Sequence, residues 1–151
     1  MNEAGIIVDE KVPTVTIVRE FDAPPEKVFR AHVDPELFVR WNWPEGYTVR
    51  FDHFDCRTGG AYRITMAGEI EGSVHGSFHD VIANELIVQT FTPDAAPDLV
   101  ILEKHRFEDL GDGRTRLTAT SLVDKFEHRD SFIDAGLVEG YDKLDELLEE
   151  L

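Results

Sequence analysis

Six histidines and 31 acidic residues in a chain of 151 supply most of the groups with which this sequence could do chemistry. His75 and His79 stand four apart in a segment of strand character. That spacing puts them on one face but roughly 13 Å apart at about 3.3 Å per residue, too far to share one metal ion. His53, Asp55 and Cys56 are closer together, yet they lack a helical i, i+4 frame and a second cluster at ligand spacing. No metal and no cofactor are expected. No Ser occupies a G-x-S-x-G context, so a nucleophilic triad is not expected either. The turn "RTGG" at residues 57–60 opens a strand and lacks the helix N-terminus and Lys of a phosphate loop, and it reads as a tight turn.

What remains is proton transfer or polarisation by isolated groups. Asp80, Glu103, His105 and Arg63 fall on predicted strands, where an inward-facing side chain has a shifted pKa. Solvent is the expected environment of this group. His105 is set apart because alternation places it on one face with Leu99, Ile101 and Phe107, the best position for a polar group in an apolar pocket. His105 and Asp80 are therefore the two catalytic candidates, both weak, and a satisfied core histidine is the plainer reading of the first. Trp41 and Trp43 share a face if extended. Each brings a large apolar surface with one N–H donor, suited to core packing or to a pocket mouth.

The elements that would position these groups follow from periodicity. "TVTIVREF" at residues 14–21 alternates and is rich in β-branched residues, which predicts a strand. "DAPPEKVFRAHVD" supplies Asp22 as cap, prolines at a helix entrance and apolar residues at Val28, Phe29 and His32 or Val33, a helix of about two turns. "DPELFVRW" restarts the signal with Asp34 as cap. From Tyr47 the period changes to two. Hairpins are predicted across "DCRTGG", at Asn84-Glu85 and across "GDG", giving about six to seven strands in all. From about Glu127 an apolar stripe through Phe132, Ile133, Leu137, Tyr141, Leu144 and Leu148 closes the chain with one long amphipathic helix. Antiparallel strands with a helix across one face make an α+β domain, with the helix stripe buried on the concave side of a curved sheet.

Composition sets the frame. A formal charge of −16 repels phosphate backbones and anionic membranes, so nucleic acid is not an expected partner. No apolar run reaches the roughly 18 residues of a membrane helix, and the acidic opening does not read as a signal peptide. With a single cysteine, Cys56, a cytoplasmic location is expected. Residues 1–11 are expected to be a flexible terminus and residues 12–151 a single domain.

This order of elements, together with "REFDAPPEKVFRA" at residues 19–31, "DPELFVRWNWP" at 34–44, "DCRTGGAYR" at 55–63, "GSFHDV" at 76–81, "NELIVQTF" at 84–91 and the glycine-bearing helix segment at 136–141, resembles the START-related helix-grip (SRPBCC) superfamily. Within it, the chain resembles the branch related to the activator of the ninety-kilodalton heat-shock-protein ATPase. It departs from the family pattern at Phe29, Thr58 and Leu137, where Trp, Pro and Trp are common. The resemblance implies a helix-grip fold and a range of functions: carriers of lipids and hormones, polyketide cyclases and chaperone regulators.

The reading adopted is a cavity between sheet and C-terminal helix that binds an apolar or amphipathic small molecule. It would be lined by Trp41, Trp43, Tyr62, Ile64, Met66, Phe78, Ile101, His105, Phe107, Leu117, Leu137, Gly140, Tyr141 and Leu144. A cyclase- or aromatase-like enzyme and a chaperone ATPase regulator are the alternatives. The second is weakened because the eukaryotic activators carry an additional N-terminal domain for which residues 1–11 leave no room. A protein partner or homodimer is left open. Gly136 and Gly140 share a helix face, either for close approach to the sheet or to hold space for a ligand.

Overall fold

In the computed structural model, which describes residues 5–134 and 139–151, the first strand comes earlier than expected. β1 (Gly5–Val8) pairs antiparallel with β2 (Thr14–Phe21), Ile6 opposite Ile17, so part of the segment read as a loose terminus is a sheet edge. Its "GIIV" sequence has the β-branched content for pairing. β2 buries alternate residues along its whole length, and its Phe21 is wholly inaccessible.

The helix pair follows as predicted, with one correction. α1 (Pro25–Val33) begins after Pro24, which makes no side-chain cap, while the expected cap Asp22 reaches out to Arg114 at 2.9 Å. Proline at the first position needs no N–H partner, so the entrance forms without a capping side chain. Asp34 ends α1 and caps α2 (Pro35–Trp41), accepting the Glu36 N–H at 3.0 Å.

Six strands come next: β3 (Thr48–Phe54), β4 (Ala61–Ala67), β5 (Gly72–Ile82), β6 (Leu86–Pro93), β7 (Ile101–Gly111) and β8 (Arg114–Leu122). The eight strands run antiparallel in the order β1-β2-β8-β7-β6-β5-β4-β3, one more than the upper expectation. The β7–β8 turn holds Gly111, Asp112 and Gly113 at positive φ, the conformation its "GDG" sequence permits. Bulges between Phe51 and His53, Phe78 and Asp80, and Asp109 and Gly111 break the straight count of two, and such bulges bend the strands that carry them.

The concave face is closed by helices. The stripe read as one closing helix is described as α3 (Phe126–Asp134) and α4 (Glu139–Glu150); Gly136 and Leu137 lie outside the described residues. α4 buries Tyr141, Leu144, Leu147 and Leu148 at helical spacing. It packs beside α1 and α2, and its outer rim is tied to the sheet by Arg19 of β2, which donates to Asp142 at 2.7 Å and Asp145 at 2.9 Å.

Candidate functional site: a cavity with a polar row

Between the middle of the sheet and its helical roof lies a cavity of about 430 Å³. Alternation on β4 turns Tyr62, Ile64 and Met66 inward, β5 contributes Val74 and Phe78, and β6 contributes Ile87, Gln89 and Phe91. The roof is His32 of α1, Phe38 and Trp41 of α2, Trp43 just beyond it, Phe132 of α3, and Gly140 and Tyr141 of α4. Aromatic contacts knit this wall together: Trp41 stacks on Tyr141 at 5.8 Å, and Phe38 meets Trp41 and Trp43 edge-on, each at 5.4 Å. The Trp41 indole N–H donates to the Ala31 carbonyl at 2.9 Å, which fixes the ring where α1 gives way to α2. On the floor, Tyr62 lies over Gly76, its direct cross-strand partner, and donates its hydroxyl to the Thr90 carbonyl at 2.6 Å. A side chain at Gly76 would run into that same carbonyl, so the tyrosine sits there because the glycine is bare.

Of the residues expected to line a pocket, Trp41, Trp43, Tyr62, Ile64, Met66, Phe78, His105, Gly140 and Tyr141 border this space. Ile101, Phe107, Leu117 and Leu144 do not. They are buried in the core, with Phe107 opposite Leu117 across the β7–β8 ladder and covered by Phe29 of α1 at 5.4 Å. Alternation selects a face, and only the middle of that face is roofed at a distance. Asp80 is also outside the cavity; it lies within 3.4 Å of the Thr58 hydroxyl, beyond the bulge in β5.

The larger correction concerns Glu103, which was expected to face solvent. Glu103 shares the parity of Ile101 and His105 and projects into the cavity. Gln89 and Ser121 are its direct partners on β6 and β8, so a polar row crosses the floor of an otherwise apolar space. The Gln89 amide donates to Glu103 at 3.1 Å. Burial disfavours the carboxylate and pushes the Glu103 acid up to about 7, only partly offset by that hydrogen bond.

Next to this row stand two histidines whose rings are 5.7 Å apart. Nδ1 of His32 is 2.8 Å from the Val28 carbonyl, which can only accept. Nδ1 therefore carries the hydrogen, and in the neutral ring Nε2 is a bare acceptor. Burial, with His105 adding to it, pushes His32 down to about 3, and burial pushes His105 down to about 4. Both rings are neutral near pH 7. His32 Nε2 and His105 Nδ1 are buried and have no hydrogen-bond partner among the described residues. His105 is thus not the satisfied core histidine that the sequence favoured. His32 appears in the sequence only as part of a helix stripe.

The other groups weighed for chemistry lie elsewhere. His75 pairs with Asp94 at 3.0 Å on the outer surface. Asp55 is held by Arg57 at 2.8 Å, and the half-buried Cys56 thiol is pushed up to about 12 by burial and the neighbouring Asp55, so it stays protonated. Among the described residues no three His, Cys, Asp or Glu side chains gather as a metal site would require. None of the described helices is long and apolar enough to cross a membrane.

Residues 22–149 match the sequence model of the family described as activator of Hsp90 ATPase homolog 1-like protein. The chain belongs to that family. Its fold is the helix grip shared by many solved structures. A protein from Rhodobacter sphaeroides superposes with a TM-score of 0.85 at 21% identity, with 99% of each chain covered. One from Mycobacterium smegmatis gives 0.82 at 22%, covering 98% of this chain and 99% of the other. One from Chromobacterium violaceum gives 0.78 at 25%, covering 91% of this chain and 97% of the other. No curated protein matches the sequence. In this member of the activator-homologue family, the polar row and the unpartnered histidines are the chemical content of the grip.

Proposed function

We propose that residues 12–151 act as a single cytoplasmic domain that binds a small apolar or amphipathic molecule in the cavity between sheet and helices, without a cofactor. The observation that carries this reading is the cavity itself. About 430 Å³ bounded by aromatic and aliphatic side chains, with two histidines of the lining each carrying an unpartnered ring nitrogen, has the size and chemistry of small-molecule sites. An apolar skeleton would remove the walls from water. A polar group on it would complete the partners that Glu103, His32 and His105 lack. Native mass spectrometry of freshly purified protein tests the reading: a co-purifying small molecule that leaves on denaturation is expected, and a protein consistently free of one across hosts and growth conditions would count against it.

One observation favours a second reading. An acid that titrates at about 7 inside a cavity has the pKa of an efficient general acid or base. A cyclase-like enzyme would use Glu103 in that role with His105 beside it. Turnover that disappears in Glu103→Gln while ligand affinity holds would favour the enzyme over the carrier.

A further inference from the structure

We propose that the ligand is an organic amine bound as its cation, with the ammonium group on Glu103 and the carbon skeleton against the aromatic wall. This rests on the cavity reading above and narrows it to one chemical class. Three observations lead to it.

The first is the balance of donors and acceptors. Glu103 receives a single hydrogen bond, from the Gln89 amide at 3.1 Å, and His32 Nε2 is an acceptor with no donor. Two groups of the cavity lining thus have acceptor capacity to spare, and a molecule that brings N–H or O–H groups would meet it.

The second is charge. Among the described residues that line the cavity, Glu103 is the one carboxylate and none is Lys or Arg. A carboxylate or phosphate ligand would meet no countercharge there and would face Glu103. A cation would find both its countercharge and a lining of aromatic rings, Trp41, Trp43, Tyr62 and Tyr141 among them, of the kind that attracts positive charge. The formal charge of −16 on the whole chain favours the approach of cations over anions.

The third is the behaviour of the surrounding groups with pH. Among the described residues, the other titratable side chains bordering Glu103's cavity are Tyr62 from β4, His105 from its own strand, His32 from α1 and Tyr141 from α4. Burial raises both tyrosines and lowers both histidines, so all four are neutral between pH 6 and 8. Arg19, whose charge acts on Tyr141, is held by Asp142 and Asp145. Glu103 alone changes charge in this window, and its ionised form is the one competent for an ammonium.

Isothermal titration with three probes of one shape tests the proposal: 2-phenylethylammonium, 2-phenylethanol and 3-phenylpropionate. At pH 8 the ammonium should bind at least tenfold more tightly than the alcohol, with the carboxylate weakest. Its affinity should fall by about tenfold between pH 8 and pH 6, following the ionised fraction of a group titrating at about 7. Glu103→Gln should abolish that pH dependence and weaken the ammonium at pH 8 by tenfold or more. Alcohol binding by the variant shows that its cavity is intact. Equal affinity for alcohol and ammonium, tightest binding of the carboxylate, or ammonium binding unchanged in Glu103→Gln would overturn the amine and leave the apolar-cavity reading standing. No heat with any probe, together with a protein free of ligand by native mass spectrometry, would overturn both.

Discussion

Gly140 of α4 lies directly against the backbone of Trp41: a Cβ built at Gly140 would sit 2.9 Å from the Trp41 carbonyl oxygen. This glycine, expected either to let the helix approach the sheet or to hold space for a ligand, lies against α2 and borders the cavity. Alanine would gain about 1 kcal/mol of helix propensity and lose about 1–3 kcal/mol through the forced separation of the two backbones. Gly140→Ala should therefore lower stability by up to about 2 kcal/mol, and Gly140→Leu by more. Urea denaturation checks this. A more stable Gly140→Leu protein would show that the helices separate freely at this point.

The buried ionisable groups pull stability in opposite directions with pH. His32 and His105 titrate below their ordinary value of 6.5, so the unfolded chain binds more protons and each adds stability as pH rises to about 6.5. That contribution is fully present above 6.5 and is lost as pH falls toward the folded values. Glu103 titrates above its ordinary 4.5, at about 7, so it removes stability between these two points as pH rises. Glu103→Gln should therefore gain relative to wild type as pH rises from 5 to 8, by up to about 3 kcal/mol. Tm measured across that range is the readout, and a difference independent of pH would contradict the position of Glu103 inside the cavity.

The two tryptophans should separate in function. Trp41 is buried and bonded to the Ala31 carbonyl. Trp41→Phe leaves that acceptor unsatisfied and should cost about 1–3 kcal/mol. Trp43 is half-buried at the cavity edge, with its own carbonyl held by Lys143 at 2.8 Å. Trp43→Phe should leave stability nearly unchanged and remove most of the fluorescence response to a bound probe. A response carried wholly by Trp41 would reverse the assignment.

Arg19 is 3% exposed and depends on two aspartates of α4. Removing both, Asp142→Ala with Asp145→Ala, strands a buried cation and should cost about 3 kcal/mol or more. Arg19→Met should be close to neutral, since it removes the charge as well as its partners. Chemical denaturation of the two proteins decides it; equal losses would mean that the arginine contributes mainly through its stem.

The sequence was most readable where local chemistry alone determines the outcome. Asp34-Pro35 starts a helix, "GDG" turns a hairpin, and β2 alternates over all eight residues. It was least readable where burial depends on another element. Glu103 has the same parity as His105, yet its charge argued for solvent. Only Gln89 on the neighbouring strand and the roof of helices make an inward acid tenable. His32 reads as one member of an apolar stripe because the Val28 carbonyl that fixes its tautomer, and the burial that leaves Nε2 without a partner, are products of the fold. β1 is not legible because four residues carry too little pattern without the partner strand beside them.

The pairing of β2 with β8 sets Thr14 opposite Leu122, and so joins segments 108 residues apart in the chain. At synthesis rates of about 5–20 residues per second, β2 waits roughly 5–20 s for the strand that completes its ladder. Until then only β1 can pair with it, and the alternating apolar face of β2 lacks the cover that α3 and α4 supply, since these follow β8. In the emerging chain, the hairpins from β3 to β6 can assemble among themselves first. Closure of the grip thus has to wait for its last two helices, and the cavity cannot be complete before α3 and α4 have left the ribosome.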